Sequence, residues 1–262
     1  MEKNVLPLIQ RRYIVGMPVD ATSYEDATNR VRIWAQQGLS KYVCVATVNN
    51  VMESYDSPQV SRVMQQADLV TPDGMPLVWG LRRLGVKTAS RVYGPDLTPI
   101  VMAMAENKQL QVGFYGGSQE VLDKLVAVAR QRFPKMIVSY AFSPPFRQLT
   151  DEEDRDVVEK INAGGTQILF IGLNSPKQDI WMEQHRGRVN SVMLGVGAAF
   201  DFMAGAKPQA PRWMMRSGLE WVFRFVTEPK RLARRYLKHN PRFVALFLWQ
   251  LLNGTPQKAD QA

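Results

Sequence analysis

Gln167-Ile-Leu-Phe-Ile-Gly172, running on into Leu-Asn-Ser-Pro-Lys-Gln178, is the stretch that decides the fold. Ile168 to Ile171 is apolar at every position, without the alternation of a strand that faces water on one side. A run this short and this uniformly apolar reads as a strand covered on both faces, the habit of parallel sheets with helices packed above and below. Working outward, further β-rich runs recur at 42–47, 68–71, 111–115, 136–141 and 191–196. Helical patterns separate them at 24–37, 51–65, 76–84, 96–107, 119–133, 152–163 and 177–186. The alternation predicts an α/β chain with βαβ units: a Rossmann-like, mostly parallel sheet with helices on both faces.

Beyond Phe200 the strand signal stops, and Pro208, Pro211, Pro229 and Pro241 are expected to divide the rest into short helices. The expected organisation is an α/β domain over 1–205, a helical basic appendage over 206–254 and a disordered tail over 255–262. Charge marks the same division. Between 207 and 242 ten basic residues face only Glu220 and Glu228, which places +8 of the chain's net +9 in one segment. Trp213, Trp221, Phe223 and Phe225 interleave with that charge, and the apolar run 243–252 follows. Bulky apolar groups beside Lys and Arg predict a helix lying on an anionic membrane surface, with Lys230, Arg235, Lys238 and Arg242 holding it there. A basic helix docked on the core by its apolar face is the structural alternative. Nucleic acid is disfavoured, because no DNA- or RNA-binding motif accompanies the charge.

At 262 residues, 45% of them hydrophobic and 22% charged, the composition excludes disordered, collagen-like and disulfide-rich classes. The single cysteine, Cys44, sits in the apolar run 42–46, so it reads as a buried thiol in a reducing compartment. Residues 1–12 lack the apolar core of a secretory signal, and no stretch approaches the ~20 apolar residues that span a bilayer. The expectation is a cytoplasmic protein, peripheral on the inner face of the membrane.

Ligands of open α/β sheets bind beyond the carboxyl ends of the strands. Five of the expected strands end in polar loops: Thr47-Val-Asn49-Asn50, Thr71-Pro-Asp73-Gly74, Gly116-Gly117-Ser118, Gly172-Leu-Asn-Ser-Pro-Lys-Gln178, and Gly195-Val-Gly197 with Asp201. Together they suggest a composite site. Asp73 at a strand exit suits a general base, although an Asp-Gly pair alone is usually a turn. Thr47 and Asn49 are placed to orient it, or to cap the following helix. Gly116, Gly117 and Ser118 offer a phosphate close approach to backbone N–H groups at a helix start, or a simple capped turn. Neither dinucleotide nor P-loop glycine fingerprint is present. One Cys and two His are too few for a zinc cluster, and Asp154-Arg-Asp156 reads as an acidic helix start.

Taken in order, the motifs resemble those of the WecG/TagA/CpsF glycosyltransferases of bacterial cell-surface polysaccharide assembly. The resemblance rests on Thr47-Val-Asn49, Ala67 to Gly74, Arg91-Val-Tyr-Gly-Pro-Asp96, Phe114-Tyr-Gly-Gly117, Gly172 to Gln178, Gly195 to Asp201 and Gly218-Leu-Glu-Trp-Val-Phe-Arg224. It implies an inverting, metal-independent transferase with no cofactor, moving a hexose from a UDP-sugar to a sugar on a polyprenyl diphosphate carrier. It implies Asp73 as catalytic base with Thr47 and Asn49 beside it, and Arg91 and Gln178 as substrate contacts. Arg224, Arg231 and Arg234 match basic residues of a segment that closes over the site, and they share one helix face if the helix runs through Pro229. Gly116, Gly117, Ser118, Gly197 and Asp201 complete the expected substrate contacts. Asp179 stands where the family usually has Glu. A homo-oligomer is neither required nor excluded. Two other readings come from fold and charge alone: a nucleotide-dependent Rossmann oxidoreductase, and a non-enzymatic membrane-surface module.

Overall fold

A computed structural model describes residues 6–254, and the expected disordered tail lies outside that range. The chain opens with an antiparallel hairpin of β1 (Gln10–Ile14) and β2 (Met17–Ala21). Six parallel strands follow: β3 (Lys41–Ala46), β4 (Leu69–Pro72), β5 (Gln111–Gly116), β6 (Ile137–Phe142), β7 (Ile168–Gly172) and β8 (Val192–Gly195). They lie in the order β4-β3-β8-β7-β5-β6. All six are the expected strands. The helices between are α1 (Tyr24–Gln36), α2 (Val48–Asp56), α3 (Pro58–Gln66), α4 (Met75–Arg83), α5 (Gly94–Asn107), α6 (Gln119–Arg132), α7 (Asp151–Ala163) and α8 (Lys177–His185). After the last strand come α9 (Ala199–Met203), α10 (Arg212–Arg216), α11 (Glu220–Thr227) and α12 (Pro229–Asn253).

The apolar run that announced the fold does what its pattern requires. Leu169 and Ile171 enter one core layer, Ile168 and Phe170 the other, and all four are fully buried. Successive side chains of a strand point to opposite faces, so a doubly covered strand has no polar position to spare. Cys44 on β3 is buried in the first layer, and burial drives its thiol pKa well up.

Three features depart from expectation. The hairpin was not foreseen, because Arg11, Arg12 and Asp20 interrupt its apolar pattern. It covers the β4 edge: Asp20 is fully buried, accepts the Val70 N–H at 2.7 Å and pairs with Arg11 at 2.7 Å. A buried carboxylate thereby satisfies an edge-strand donor that would otherwise invite another chain. Second, the single helix expected over 51–65 is two, α2 and α3. Ser57 ends one and caps the other through Val60 N–H, and Pro58 begins the second with no N–H to continue the first. Third, Pro241 does not divide the C-terminal segment. It lies inside α12, and Pro229 starts that helix.

Tertiary contacts hold α12 through its proline. Leu232 and Phe243 are buried, and Gln250 donates to Tyr13 O and accepts from Val15 N–H, both at 2.7 Å. Lys238 and Arg242 pair with Asp56 of α2 at 3.2 and 2.6 Å. The run 243–252 therefore has two faces. Phe243 and Gln250 are buried, whereas Val244, Leu248, Trp249 and Leu252 are exposed.

Candidate functional site

Because the six strands are parallel, their carboxyl ends open on one edge, and there the chain gathers its polar loops. Asp73 follows β4, and its N–H donates to Ala46 O at the end of β3, which sets it beside Thr47. The carboxyl group of Asp73 is buried and held on two sides. Arg91 donates to Oδ1 at 3.0 Å, and Gly94 N–H to Oδ2 at 3.3 Å. Arg91 also donates to the Asp73 carbonyl and lies over the Tyr93 ring. Gly94 packs closely, since a Cβ there would stand 3.3 Å from Val45 Cγ1, which would have to give by a few tenths of an ångström. Burial pushes the Asp73 pKa up; Arg91 opposes that shift and Glu220 adds to it.

Glu220, from α11, accepts from the same Arg91 at 2.5 Å. One guanidinium therefore sits between two carboxylates, and it ties the C-terminal helices to the strand ends. Burial opposes its charge, but Asp73 and Glu220 outweigh that and raise the Arg91 pKa further. Glu220 was not foreseen as a site residue. The available signal was an acid inside the Gly218–Arg224 motif of an otherwise basic segment.

Thr47 caps α2: its hydroxyl accepts Asn49 N–H at 3.2 Å and donates to Asn50 Oδ1 at 3.1 Å. Asn50 in turn donates to Ser175 Oγ at 2.7 Å and to Asp179 Oδ2 at 3.1 Å, linking the β3 and β7 loops. Asp179 is fully buried, and burial pushes its pKa up to about 6 against the donors Ser175 and Asn50. The Glu-to-Asp departure therefore falls inside a sealed network. Asn49 Oδ1 is buried without a partner.

Above these loops α4, α10, α11 and α12 enclose a cleft of about 780 Å³. Thr47, Asn49, Asp73, Arg91 and Arg224 line it, so five of the expected site residues share one cavity. Arg231 and Arg234 are exposed and do not line it; Arg231 pairs with Glu228 at 2.7 Å. The helix does not continue across Pro229. Glu228, at φ −133° and ψ 52°, separates α11 from α12, so the three arginines do not share a helix face. Arg235, expected on a membrane surface, lines the cleft instead, as does His239.

The remaining expected residues lie outside the cleft lining. Gly116 and Gly117 have φ of 122° and 73°, and a Cβ on Gly116 would stand 2.7 Å from Gly172. Ser118 caps α6 through Val121 N–H. Gln178 is buried with Oε1 unpartnered, and a Cβ on Gly197 would stand 3.4 Å from that atom. Asp201 pairs with Lys207 at 2.9 Å. Asp154 meets His185 at 2.8 Å and Arg188 at 2.6 Å, while Asp156 pairs with Lys160. Among the described residues no group of three His, Cys, Asp or Glu side chains is placed to hold a metal ion.

A strand-exit carboxylate in an enclosed cleft, faced by arginines and roofed by a basic helical segment, suits transfer from a substrate whose leaving group is anionic. The sequence pattern of the glycosyl transferase WecG/TagA/CpsF family matches residues 12–257. The chain is also similar to two N-acetylglucosaminyldiphosphoundecaprenol N-acetyl-beta-D-mannosaminyltransferases. That of Bacillus spizizenii is 26% identical over 216 residues, covering 82% of this chain and 81% of the relative. That of Staphylococcus aureus is 27% identical over 234 residues, covering 88% and 89%. The match along nearly the whole chain, with the motif residues gathered at one sheet edge, shows that the chain belongs to the WecG/TagA/CpsF family and is a glycosyltransferase.

Proposed function

We propose that the chain transfers a hexose, of the N-acetylmannosamine or glucose type, from a UDP-sugar to a sugar on polyprenyl diphosphate, in cell-surface or exopolysaccharide assembly. The N-acetylmannosamine-type sugar and the polyprenyl-diphosphate acceptor follow the names of the two relatives, and the UDP carrier follows from the resemblance of the motifs. The observation that carries the reading is the buried Asp73 carboxylate at the base of the cleft. In a single displacement, the acceptor hydroxyl attacks the anomeric carbon and its proton passes to Asp73. The bond to the UDP oxygen breaks with its electron pair, and the anomeric centre inverts. Burial makes Asp73 a stronger base than an exposed carboxylate. Thr47 and the unpartnered Asn49 Oδ1 orient the hydroxyl.

Opposite the base, negative charge grows on the diphosphate. Arg224, which lines the cleft, is the proposed counter-charge, while Arg231 and Arg234 would reach the diphosphate only if the C-terminal helices moved. The cation between the cleft's two carboxylates is a guanidinium, which supports a metal-independent reaction. Gly116, Gly117, Ser118, Gln178, Gly197 and Asp201, on the same sheet edge but outside the cleft lining, remain proposed substrate contacts by resemblance alone. No helix among the described residues is long and apolar enough to cross a membrane. Exposed Trp213, Val226, Trp249 and Leu252, set among Lys and Arg, support seating on the anionic cytoplasmic face of one. Family membership sets aside the oxidoreductase and the non-enzymatic module.

The test is a panel of UDP-hexoses offered with a synthetic lipid diphosphate sugar in excess EDTA. Transfer from one donor with inverted configuration is expected. Retained configuration, or activity lost on chelation and restored by Mg²⁺ or Mn²⁺, would overturn the reading.

A further inference from the structure

Ten buried side-chain polar atoms among the described residues have no hydrogen-bond partner, and four belong to residues of the one cleft: Asn49 Oδ1, Arg224 Nε, Arg235 Nε and His239 Nδ1. Buried polar atoms are nearly always satisfied, so such a cluster marks where a ligand's polar atoms belong. His239 is 4% exposed. Asn49 and Arg224 already have roles beside Asp73. Arg235 and His239 do not.

Both lie on α12, one turn apart, and the same stripe continues at the same spacing through Phe243 and Phe247. Val244 and Leu248, on the adjoining stripe, also line the cleft. Each step of four residues advances about 6 Å, so along α12 the cleft wall passes from cation and imidazole to hydrocarbon within a few turns, while Arg83 of α4 lines the facing side. Trp79 of α4 lines the same space. The order matters. A UDP-sugar carries a polar nucleoside beyond its diphosphate, whereas a polyprenyl diphosphate carries a hydrocarbon chain directly. Only the second matches a wall on which charge gives way to apolar surface.

We infer that Arg235 and His239 bind the acceptor's diphosphate, and that Phe243, Val244, Phe247, Leu248 and Trp79 hold the first isoprene units of its chain. The acceptor then lies along α12 with its sugar at Asp73, its diphosphate at the first turns and its tail toward Leu248. Arg235 serves the substrate rather than the membrane surface. This rests on the acceptor class proposed above.

The test uses the full chain and one diphosphate sugar carried on lipid tails of increasing length, with KM for acceptor and for UDP-sugar measured separately. In the unaltered protein, acceptor KM should fall as the first isoprene units are added. Arg235→Gln and His239→Ala should each raise acceptor KM about tenfold, with UDP-sugar KM changed by less than about twofold. His239→Gln replaces the alanine variant if that one does not fold. Leu248→Trp should flatten the dependence on tail length. A raised UDP-sugar KM with acceptor KM unchanged would assign the pair to the donor and overturn the inference. So would acceptor KM unchanged in the Arg235 and His239 variants, or an unaltered tail-length dependence in Leu248→Trp. Absence of transfer by the unaltered protein from every UDP-sugar to every acceptor would overturn the proposed function instead.

Discussion

The two ends of the sheet's carboxyl edge hold loops that look alike in sequence and differ in what their residues touch. At the β3–β4 end, Asp73 and Thr47 face a cleft, and Asp73 is held by Arg91. At the β5–β7 end, glycines press backbone on backbone and ring. Gly116 abuts Gly172, and a Cβ on Gly172 would stand 2.2 Å from Phe200. Each end also buries a carboxylate with a raised pKa. Asp73 opens on the cleft beside a guanidinium, whereas Asp179 is sealed among Asn50 and Ser175. A glycine at a strand exit is therefore as readily a packing device as a phosphate cradle, and a raised pKa indicates chemistry only where the group meets a cavity.

The strongest test of this contrast is Asp73→Asn. Turnover should fall roughly 10²–10⁴-fold with the melting temperature unchanged or higher, because a buried charge is removed. Near-normal turnover would take Asp73 out of the reaction. Next, Gly172→Ala should destabilise the fold by about 3 kcal/mol in urea titration, since Phe200 must move for the new methyl. Lost UDP binding at unchanged stability would make Gly172 a ligand position instead.

Asp179→Asn should act on stability with a defined sign. The folded pKa, about 6, lies above the ordinary 3.8, so the folded chain binds the proton more tightly. Stability is highest below the unfolded value and falls as pH rises through about 6. The asparagine variant should therefore gain about 1–3 kcal/mol relative to the parent at pH 7.5, and little at pH 4, in paired urea titrations. An equal effect at both pH values would show that the carboxyl group does not titrate there. The smallest effect is expected from Glu220→Gln. Glu220 helps to raise the Asp73 pKa, so its removal should move the acid limb of kcat/KM to lower pH by less than about one unit. A shift upward would mean that Glu220 acts only through Arg91.

The six strands of the parallel sheet, and the gathering of Thr47, Asn49, Asp73 and Arg91, were legible in the sequence, whereas the β1–β2 hairpin and the ownership of individual C-terminal arginines were not. Arg224 and Arg235 enter the cleft while Arg231 and Arg234 remain exposed, because the break at Glu228 resets the helix phase. A proline after an acid signals that a break is available, but not the direction of the next helix.

By itself the sequence determined what is periodic or local. Ile168 to Ile171 has no polar position, so it had to be covered on both faces. Tertiary structure alone decided what depends on distant partners. Val15, a β-branched residue at φ 50°, sits in the hairpin turn with its N–H held by Gln250, 235 residues away. Such a backbone is unfavourable in isolation and persists because docking of α12 over-determines it. The same docking carries Arg235 and His239 into the cleft. Burial patterns repeat every two or 3.6 residues and are written along the chain. The partner of a turn, or of an arginine, is set by which surfaces meet when the whole chain packs.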